Sequence, residues 1–337
     1  MLTSILGRLA SGDDLTAAET EAVIDQLLQG AISQNETALL LTALHHKGET
    51  PDEIAGAARA MRRHMTPLAT TRTNVIDTCG TGGVGSELFN ISTAAAIVVA
   101  AAGVPVAKHG NRSVTSKSGS ADVLTALGVN IDAPLDIVER TLNELGICFC
   151  FAPRFHPAMK HVAPVRKALG FATIFNLLGP LCNPAATQRQ MIGVGKRELH
   201  QTMADVLARL GTERSIVVHG TDGTGEVSLS AATEVIEVTD TGSRSFVWQP
   251  DDFGLKKQSA DSLRIADTTA SAALIRRILA GEHGAACDIV VLNAAAALWT
   301  AGRDDSPRRC TEIAAATIAD GKAAQLLNDW ATMTSRG

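Results

Sequence analysis

Short apolar runs of strand length alternate with longer amphipathic segments over most of the chain. Short apolar runs predict buried strands and a 3.6-residue period predicts helices, so the alternation indicates an α/β fold. We expect a mostly parallel central sheet flanked by helices, with a peripheral hairpin from 234–238 and 245–248. The predicted parallel strands are 75–78, 104–106, 146–152, 191–194 and 215–219, and the predicted helices are 94–102, 118–128, 158–169, 199–210, 274–280, 288–299 and 313–330.

Residues 1–66 lack this alternation and carry helical signals instead. Thr16–Glu19, Ser33–Glu36 and Thr50–Glu53 are capping boxes, in which a hydroxyl at the helix start precedes a glutamate at the third helical position. We therefore predict a smaller all-α N-terminal domain over 1–66 and an α/β domain over 74–337, joined by a polar connector.

A glycine-rich loop, Cys79-Gly80-Thr81-Gly82-Gly83-Val84-Gly85, connects the first predicted strand to the helix 94–102. Glycines let backbone N–H groups converge on an anion, and the helix N-terminus adds unpaired donors and partial positive charge. Asn90 or Ser92 is predicted to cap that helix. The loop is neither a P-loop nor a G-x-G-x-x-G fingerprint, so by itself it is weak evidence for a phosphate site.

A second loop strengthens the phosphate interpretation. Lys108 and Arg112 follow the next strand, 104–106, and hydroxyl side chains are frequent from there to Ser120. Neighbouring parallel strands open on the same crevice at their carboxyl ends, so both cations would lie near an anion held by the glycine loop. The sequence therefore predicts a small-anion site at this edge of the sheet.

Composition is that of an ordinary globular protein, with 337 residues, 45% hydrophobic and 19% charged. The net charge of −5 and the 3% of aromatic residues argue against a nucleic-acid-binding surface. The chain shows no secretory signal pattern and no apolar run of membrane-spanning length. Its six cysteines form no C-x-x-C pair. We expect a cytoplasmic protein with reduced thiols and no nucleic-acid or membrane partner.

Four segments resemble the signature motifs of the anthranilate phosphoribosyltransferases: Cys79–Gly83, Phe89–Thr93, Lys108–Arg112 and Thr173–Pro184. Members of this family transfer the 5-phosphoribosyl group from 5-phosphoribosyl-1-diphosphate (PRPP) to the amino group of anthranilate. The products are N-(5-phosphoribosyl)anthranilate and diphosphate, in tryptophan biosynthesis. The resemblance implies a glycosyltransferase that uses Mg²⁺ and forms a homodimer largely through the N-terminal helices. It also implies that about 165–184 joins the helical domain and lines the anthranilate side of the cleft.

Phosphoribosyl transfer builds negative charge on the leaving diphosphate, so amide donors, a cation and Mg²⁺ are the expected chemistry. The resemblance implies metal ligation by Ser92 and Glu226. No catalytic residue is certain, because an aniline nitrogen is already uncharged at neutral pH; proton transfer by His109 or His156 remains an alternative. The expected PRPP-binding residues are Gly80, Thr81, Gly82, Gly83, Asn90, Ser92, Thr93, Lys108 and Ser120, and the expected anthranilate-binding residues are Gly80, Asn111, His156 and Arg166.

Three positions depart from the family pattern. Val84 stands where the family has Asp, Gly225 replaces the first acid of an Asp-Glu pair, and Ala172 replaces Arg. Two carboxylates near the diphosphate are therefore missing. We expect one firmly bound Mg²⁺ and a second that binds weakly or not at all.

Other functions stay open at this point. A paralogue with an altered aromatic acceptor would explain the departures. A pyrimidine nucleoside phosphorylase-like enzyme shares the spacing of Lys108 and Arg112, although the motifs at 79–83 and 179–184 oppose it. A non-enzymatic nucleic-acid-binding relative is opposed by the net charge. Taken alone, Arg166 also fits a surface position on a helix.

Overall fold

A computed structural model describes residues 2–81, 88–113 and 118–335. Its strands join one seven-stranded sheet in the order three, two, one, four, five, six, seven. The first five pair in parallel, whereas the last two form an antiparallel hairpin at one edge. This arrangement confirms the predicted fold class. The strands are β1 (Ile76–Gly80), β2 (Val106–Gly110), β3 (Ile147–Phe151), β4 (Arg189–Gly193), β5 (Arg214–Gly220), β6 (Thr233–Thr239) and β7 (Gly242–Trp248).

The strand order changes direction between β1 and β4, and the crevice outside the carboxyl ends of such a pair is where ligands bind in open α/β sheets. Helices pack on the faces of the sheet, and the N-terminal helices precede its first strand in the chain. The α-helices are α1 (Leu2–Ala10), α2 (Ala17–Leu28), α3 (Gln34–Lys47), α4 (Pro51–His64), α5 (Ile91–Ala101), α6 (Ser120–Ala126), α7 (Leu135–Arg140), α8 (Ala152–Phe155), α9 (Ala163–Leu169), α10 (Glu198–Leu210), α11 (Thr268–Leu279), α12 (Ala285–Thr300), α13 (Pro307–Ala319) and α14 (Lys322–Ser335).

All three predicted capping boxes are present at the starts of α2, α3 and α4. Thr16, Ser33 and Thr50 each accept a hydrogen bond from the backbone N–H three residues on, and the glutamate at that position accepts one in return. Helix α1 is an addition to the prediction, because no such box precedes it to mark its start.

Two large apolar clusters cover the faces of the sheet. On one face, α5 and α12 pack together over β1 and β4. On the other face, Ile192 and Val217 share a single cluster with α10 and with Leu44 and Ile54 of the N-terminal helices. Helix α4 is thereby packed against α10 and against the short 3-10 turn Ile174–Asn176.

Several predicted boundaries are wrong in instructive ways. The predicted helix 158–169 is a 3-10 turn (Pro157–His161) followed by α9, since Pro164 restricts the residue before it and begins a new helix. The predicted helix 313–330 is divided into α13 and α14 at Gly321, whose φ of +72° only glycine adopts readily. Strand β2 runs to Gly110, so Lys108 lies inside the strand rather than after it.

Among the described residues, no helix combines the length and the apolar character needed to cross a bilayer. All six cysteines lie in the described ranges as free thiols, and five of them are buried.

Candidate active site

The glycine loop begins against the neighbouring strand. A Cβ at Gly80 would lie 2.9 Å from the Gly193 carbonyl oxygen on β4, and the backbone N–H of Thr81 donates to the same oxygen at 3.0 Å. Glycine is therefore required at the end of β1 by the close approach of two backbones. Gly82, Gly83 and Val84 lie outside the described residues.

Lys108 is a fixed internal cation. Its side chain is 2% exposed, and Nζ donates to the Thr78 carbonyl on β1 and to Oγ of Ser92 at 3.3 Å. Burial lowers the pKa of Lys108, and Asp77 and Glu226 oppose that effect by attraction. The cation therefore lies next to the first turn of α5, where the helix end adds its own partial positive charge.

Ser92 and Glu226 also meet at the start of α5. Ser92 and Glu226 line a small cavity together with Thr78, Cys79 and Asn293, and the Ser92 backbone lies close enough to act on the Glu226 carboxyl. Burial raises the pKa of Glu226 to about 7, against the opposing effects of Lys108 and of the Ser92 N–H. Burial thus leaves this carboxylate short of compensating positive charge.

A hydroxyl and a carboxylate are the hard oxygen donors that Mg²⁺ takes from proteins, usually together with waters and substrate oxygens. Ser92 and Glu226 fit such an ion, because a divalent cation would supply the charge that the buried carboxylate lacks. Over the described ranges, no group of three or more His, Cys, Asp or Glu side chains forms a protein-only metal cage.

The loop that carries Glu226 packs tightly on the end of β4. A Cβ at Gly193 would lie 1.8 Å from the Gly225 carbonyl oxygen, and a Cβ at Gly225 would lie 3.2 Å from the nitrogen of Gly195. The loop backbone therefore occupies the space beside β4. Gly225 offers no metal ligand from its side chain.

Asn90 is at the start of α5, but its side chain does not cap that helix. Its Nδ2 donates to the Ser118 carbonyl at 3.2 Å, and its Oδ1 accepts from the hydroxyls of Ser118 (2.7 Å) and Ser271 (2.9 Å). The predicted cap by Asn90 is therefore wrong, because these side-chain bonds tie α5 to α11 and to the segment before α6. Ser92 lies within α5 and does not cap it either.

The other hydroxyls expected at the diphosphate have different surroundings. The Thr93 hydroxyl is buried, and nothing in the described ranges forms a hydrogen bond with it. The Ser120 hydroxyl, at the start of α6, donates to the Asn111 carbonyl at 3.4 Å. Their contacts with PRPP stay predictions.

Arg112 is not a second free cation. Its Nη1 pairs with the Asp122 carboxylate at 3.0 Å, and its side chain is 52% exposed. The expectation of two cations side by side is corrected, because α6 supplies an acid to one of them. Asn111 is exposed and its Oδ1 accepts from the backbone N–H of Arg112 at 2.8 Å.

His109 and His156 form a buried pair. Nδ1 of His109 donates to the Gly179 carbonyl at 2.7 Å, and the two Nε2 atoms lie 3.1 Å apart. Burial lowers the pKa of His109, and burial together with His109 lowers the pKa of His156 to about 3. Both imidazoles are therefore neutral at physiological pH, and Nδ1 of His156 is buried without a hydrogen-bond partner among the described residues.

Arg166 lies on α9 with its guanidinium 5.8 Å from the ring centroid of Phe175. Its Nη2 donates to Oδ1 of Asn176 at 3.1 Å. Burial lowers the pKa of Arg166, and no carboxylate in the described part of the chain pairs with it. This half-buried charge is suited to a ligand carboxylate, which a guanidinium binds in a bidentate fashion.

The structure also involves residues that the sequence patterns do not indicate. Asp77, fully buried on β1, accepts from the backbone N–H of His109 at 3.1 Å and from Nδ2 of Asn183 at 2.8 Å. Gln190 and Arg62 reach the same region from β4 and α4. No local pattern marks these three residues, because each bonds to a partner outside its own helix or strand.

Comparison with family models divides the chain into two matches. Residues 3–65 match the glycosyl transferase family helical bundle domain, and residues 72–324 match the glycosyl transferase family a/b domain.

Curated relatives match over nearly their whole length. An anthranilate phosphoribosyltransferase from Rhodopirellula baltica is 51% identical over 314 residues, covering 93% of this chain and 92% of the relative. One from Symbiobacterium thermophilum is 46% identical and covers 99% of this chain and 98% of the relative.

Solved structures agree in fold. The anthranilate phosphoribosyltransferase from Thermus thermophilus superposes with a TM-score of 0.91 at 43% identity, covering 98% of this chain and 99% of that one. The Saccharomyces cerevisiae enzyme in complex with PRPP and Mg superposes with a TM-score of 0.90 at 28% identity, covering 100% of this chain and 98% of that one. On this similarity, the chain belongs to the anthranilate phosphoribosyltransferase family.

Proposed function

We propose that this protein transfers the 5-phosphoribosyl group from PRPP to the amino group of anthranilate, releasing diphosphate. The observation that carries the proposal is the meeting of Lys108, Ser92 and Glu226 at the start of α5. A buried cation beside two hard oxygen ligands suits a diphosphate and its metal. The full-length similarity to anthranilate phosphoribosyltransferases supports the same reaction.

For the diphosphate, we assign charge neutralisation to Lys108 and close backbone approach to Gly80 and Thr81. Each acts where charge develops as the bond from ribose C1 to the leaving oxygen breaks. The remaining expected PRPP contacts are Gly82, Gly83, Asn90, Ser92, Thr93 and Ser120.

We assign Mg²⁺ to Ser92 and Glu226, and the yeast relative solved with PRPP and Mg supports a metal-dependent reaction. When bound, Mg²⁺ supplies positive charge to the diphosphate oxygens. The packing of the Gly225 backbone against β4 and the absence of a side chain there support a single firmly bound ion.

For anthranilate, we assign carboxylate recognition to Arg166 and contacts to Gly80, Asn111 and His156. A relative from yeast has been solved with 4-fluoroanthranilate, which supports an aminobenzoate acceptor. The low pKa of His156 keeps its imidazole neutral, so it can accept or donate a hydrogen bond without adding charge. No strong base is required, because the attacking aniline nitrogen carries its lone pair at neutral pH.

The test is loss of anthranilate fluorescence on mixing with PRPP, followed across a Mg²⁺ titration. We expect saturable turnover and a rise to a plateau with Mg²⁺. Inhibition or a second rise at high Mg²⁺ would contradict the single-ion proposal. Phosphorolysis of uridine and a gel shift with single-stranded DNA serve as controls for the alternative functions; turnover or binding there, without turnover of anthranilate, would refute the proposed function.

We further propose a cytoplasmic homodimer that acts in tryptophan biosynthesis, formed through the N-terminal helices. Leu39 on α3 is 58% exposed, and its apolar side chain suits such an interface. Light scattering after gel filtration is expected to give twice the chain mass, and Leu39→Asp is expected to shift it toward the monomer. A monomeric wild type would contradict the dimer.

A further inference from the structure

The short 3-10 turn Gly179–Leu181 is held by three side chains from three different elements. Its three consecutive carbonyls accept hydrogen bonds from His109 Nδ1 (2.7 Å), Gln190 Nε2 (2.6 Å) and Arg62 Nε (2.7 Å), in chain order. These donors lie on β2, β4 and α4. The Gly179–Leu181 turn is therefore fixed by both the sheet and the N-terminal helices.

Irregular backbone inside a protein needs such partners, because a buried carbonyl without a hydrogen bond is costly. Gln190 is 3% exposed, and Pro180 and Leu181 are buried. Just beyond the turn, Asn183 Nδ2 donates to Asp77 Oδ2 at 2.8 Å and to the Ala107 carbonyl at 2.7 Å. The turn therefore has little freedom to shift while these bonds remain.

The Gly179–Leu181 turn also orients the histidine pair. A carbonyl only accepts, so Gly179 requires the proton of neutral His109 to be on Nδ1. Nε2 of His109 then carries a lone pair and accepts from Nε2–H of His156. Nδ1 of His156 is then left as an acceptor; it makes no hydrogen bond in the described structure, and the nearby Cys182 carbonyl raises the pKa of this imidazole against the effect of burial.

The same segment also orients the arginine. Asn176, in the 3-10 turn just before Gly179, accepts from Arg166 Nη2 at 3.1 Å and from the backbone N–H of Thr173 at 2.9 Å. A shift of the Gly179–Leu181 turn would therefore move the His156 imidazole and the Arg166 guanidinium, which has no carboxylate partner in the described residues, together.

We infer that Arg62 and Gln190 are positioning residues for the aromatic acceptor. Their bonds to the carbonyls of Leu181 and Pro180 hold the turn that sets the His156 tautomer and the place of Arg166. This inference rests on the proposed function, because it assigns the histidine and arginine to anthranilate. In the described structure, the side-chain hydrogen bonds of Arg62 and Gln190 go to this turn and not to Lys108, Ser92 or Glu226, so we expect PRPP recognition to change little.

The test compares Arg62→Met and Gln190→Met with the matched control Arg59→Met. Arg59 lies on the same helix α4 and also donates to a backbone carbonyl, that of Arg209 at 3.0 Å, but this carbonyl is not in the turn. KM for anthranilate, KM for PRPP, kcat and melting temperature are measured for each. Arg62→Lys keeps a charged donor on α4 as the conservative variant.

We expect KM for anthranilate to rise about 10-fold in Arg62→Met and in Gln190→Met, as loss of one positioned hydrogen bond predicts. KM for PRPP is expected to stay within about 2-fold, and Arg62→Lys to recover part of the loss. Arg59→Met is expected to leave both KM values unchanged. If Arg62→Met fails to fold, Gln190→Met carries the test, because it releases the neighbouring carbonyl from the opposite side.

A parallel rise in both KM values would overturn the inference, since it would indicate a general structural role. Unchanged KM for anthranilate in a folded variant would overturn it as well. Turnover by the wild type separates these results from failure of the proposed function: without wild-type turnover, the function and the inference are both rejected.

Discussion

Burial decides which of two neighbouring cations serves the site. Lys108 and Arg112 are four residues apart, and the sequence places both near the anion. The Lys108 side chain is buried and donates hydrogen bonds to Thr78 and Ser92, whereas the Arg112 side chain is solvated and forms an ion pair with Asp122. A desolvated cation interacts far more strongly with an incoming diphosphate than an exposed one that is already paired.

Replacing Lys108 by Met is therefore expected to raise KM for PRPP by about 10- to 100-fold, the range for loss of a hydrogen bond to a charged group. Arg112→Met is the matched control, and its effect is expected to stay within about 5-fold because exposed ion pairs contribute little. Steady-state kinetics with PRPP varied, alongside melting temperatures, measure both. A larger effect in Arg112→Met would reverse the assignment.

At the scale of elements, the site depends on how the loop after β5 meets the end of β4. Glu226 reaches α5 only because the backbone of its loop lies directly against Gly193. A strand end and a loop thus approach at a distance that no side chain tolerates. The requirement for glycine is at position 193, but it determines where the loop places the Glu226 carboxylate, which directly follows Gly225.

Gly193→Ala is expected to displace that loop, since its Cβ would lie 1.8 Å from the Gly225 oxygen. We expect a lower affinity for Mg²⁺, at least about a 10-fold loss of kcat/KM for PRPP, and a stability loss of about 1–3 kcal/mol from overpacking. Gly7→Ala is the control, because a Cβ there meets nothing within 4 Å in α1. Unchanged Mg²⁺ dependence in Gly193→Ala would contradict the placement of Glu226 at the metal.

At the scale of the whole molecule, the N-terminal helices and one face of the sheet share an apolar cluster, and the histidine pair is buried near their junction. Protonating a buried group is a cost that the folded chain bears and the unfolded chain does not. Stability of the molecule therefore depends on pH through these histidines.

The pKa of His156 is about 3 in the folded chain against an ordinary value of 6.5, so the unfolded chain binds more protons between those values. The free energy of unfolding should therefore fall as pH drops from 6.5 toward 3, by up to about 1.4 kcal/mol per pH unit for this group. Denaturant unfolding at pH 7, 6 and 5 measures it, in a range above the ordinary pKa of exposed carboxyls.

The control for this effect is His156→Gln, which should show a shallower decline over the same range. Glu226 acts in the opposite direction, because its pKa is raised to about 7 and its protonation favours the folded chain as pH falls. Comparing wild type with His156→Gln removes that contribution, which both proteins share. Equal slopes in the two proteins would show that the folded chain protonates His156 normally.

Much of the architecture follows from local pattern. The three capping boxes predict the starts of α2, α3 and α4, since a cap and its glutamate lie within one turn. The apolar runs predict six of the seven strands of the described sheet closely, whereas β2 (Val106–Gly110) shares only Val106 with the predicted strand 104–106, because it continues through a buried lysine. The division between α13 and α14 escapes prediction, because an isolated glycine is compatible with a continuous helix.

The sequence by itself determined the fold class, the helical character of the N-terminal region, the glycine loop and the family, because these depend on spacing along the chain. Tertiary structure alone decided that Asn90 links helices instead of capping one, and that Arg112 is paired. It also decided that Arg62 and Gln190 hold the Gly179–Leu181 turn. Such roles depend on partners distant in sequence, and burial rather than residue type determines which charges and hydrogen bonds remain available to a ligand.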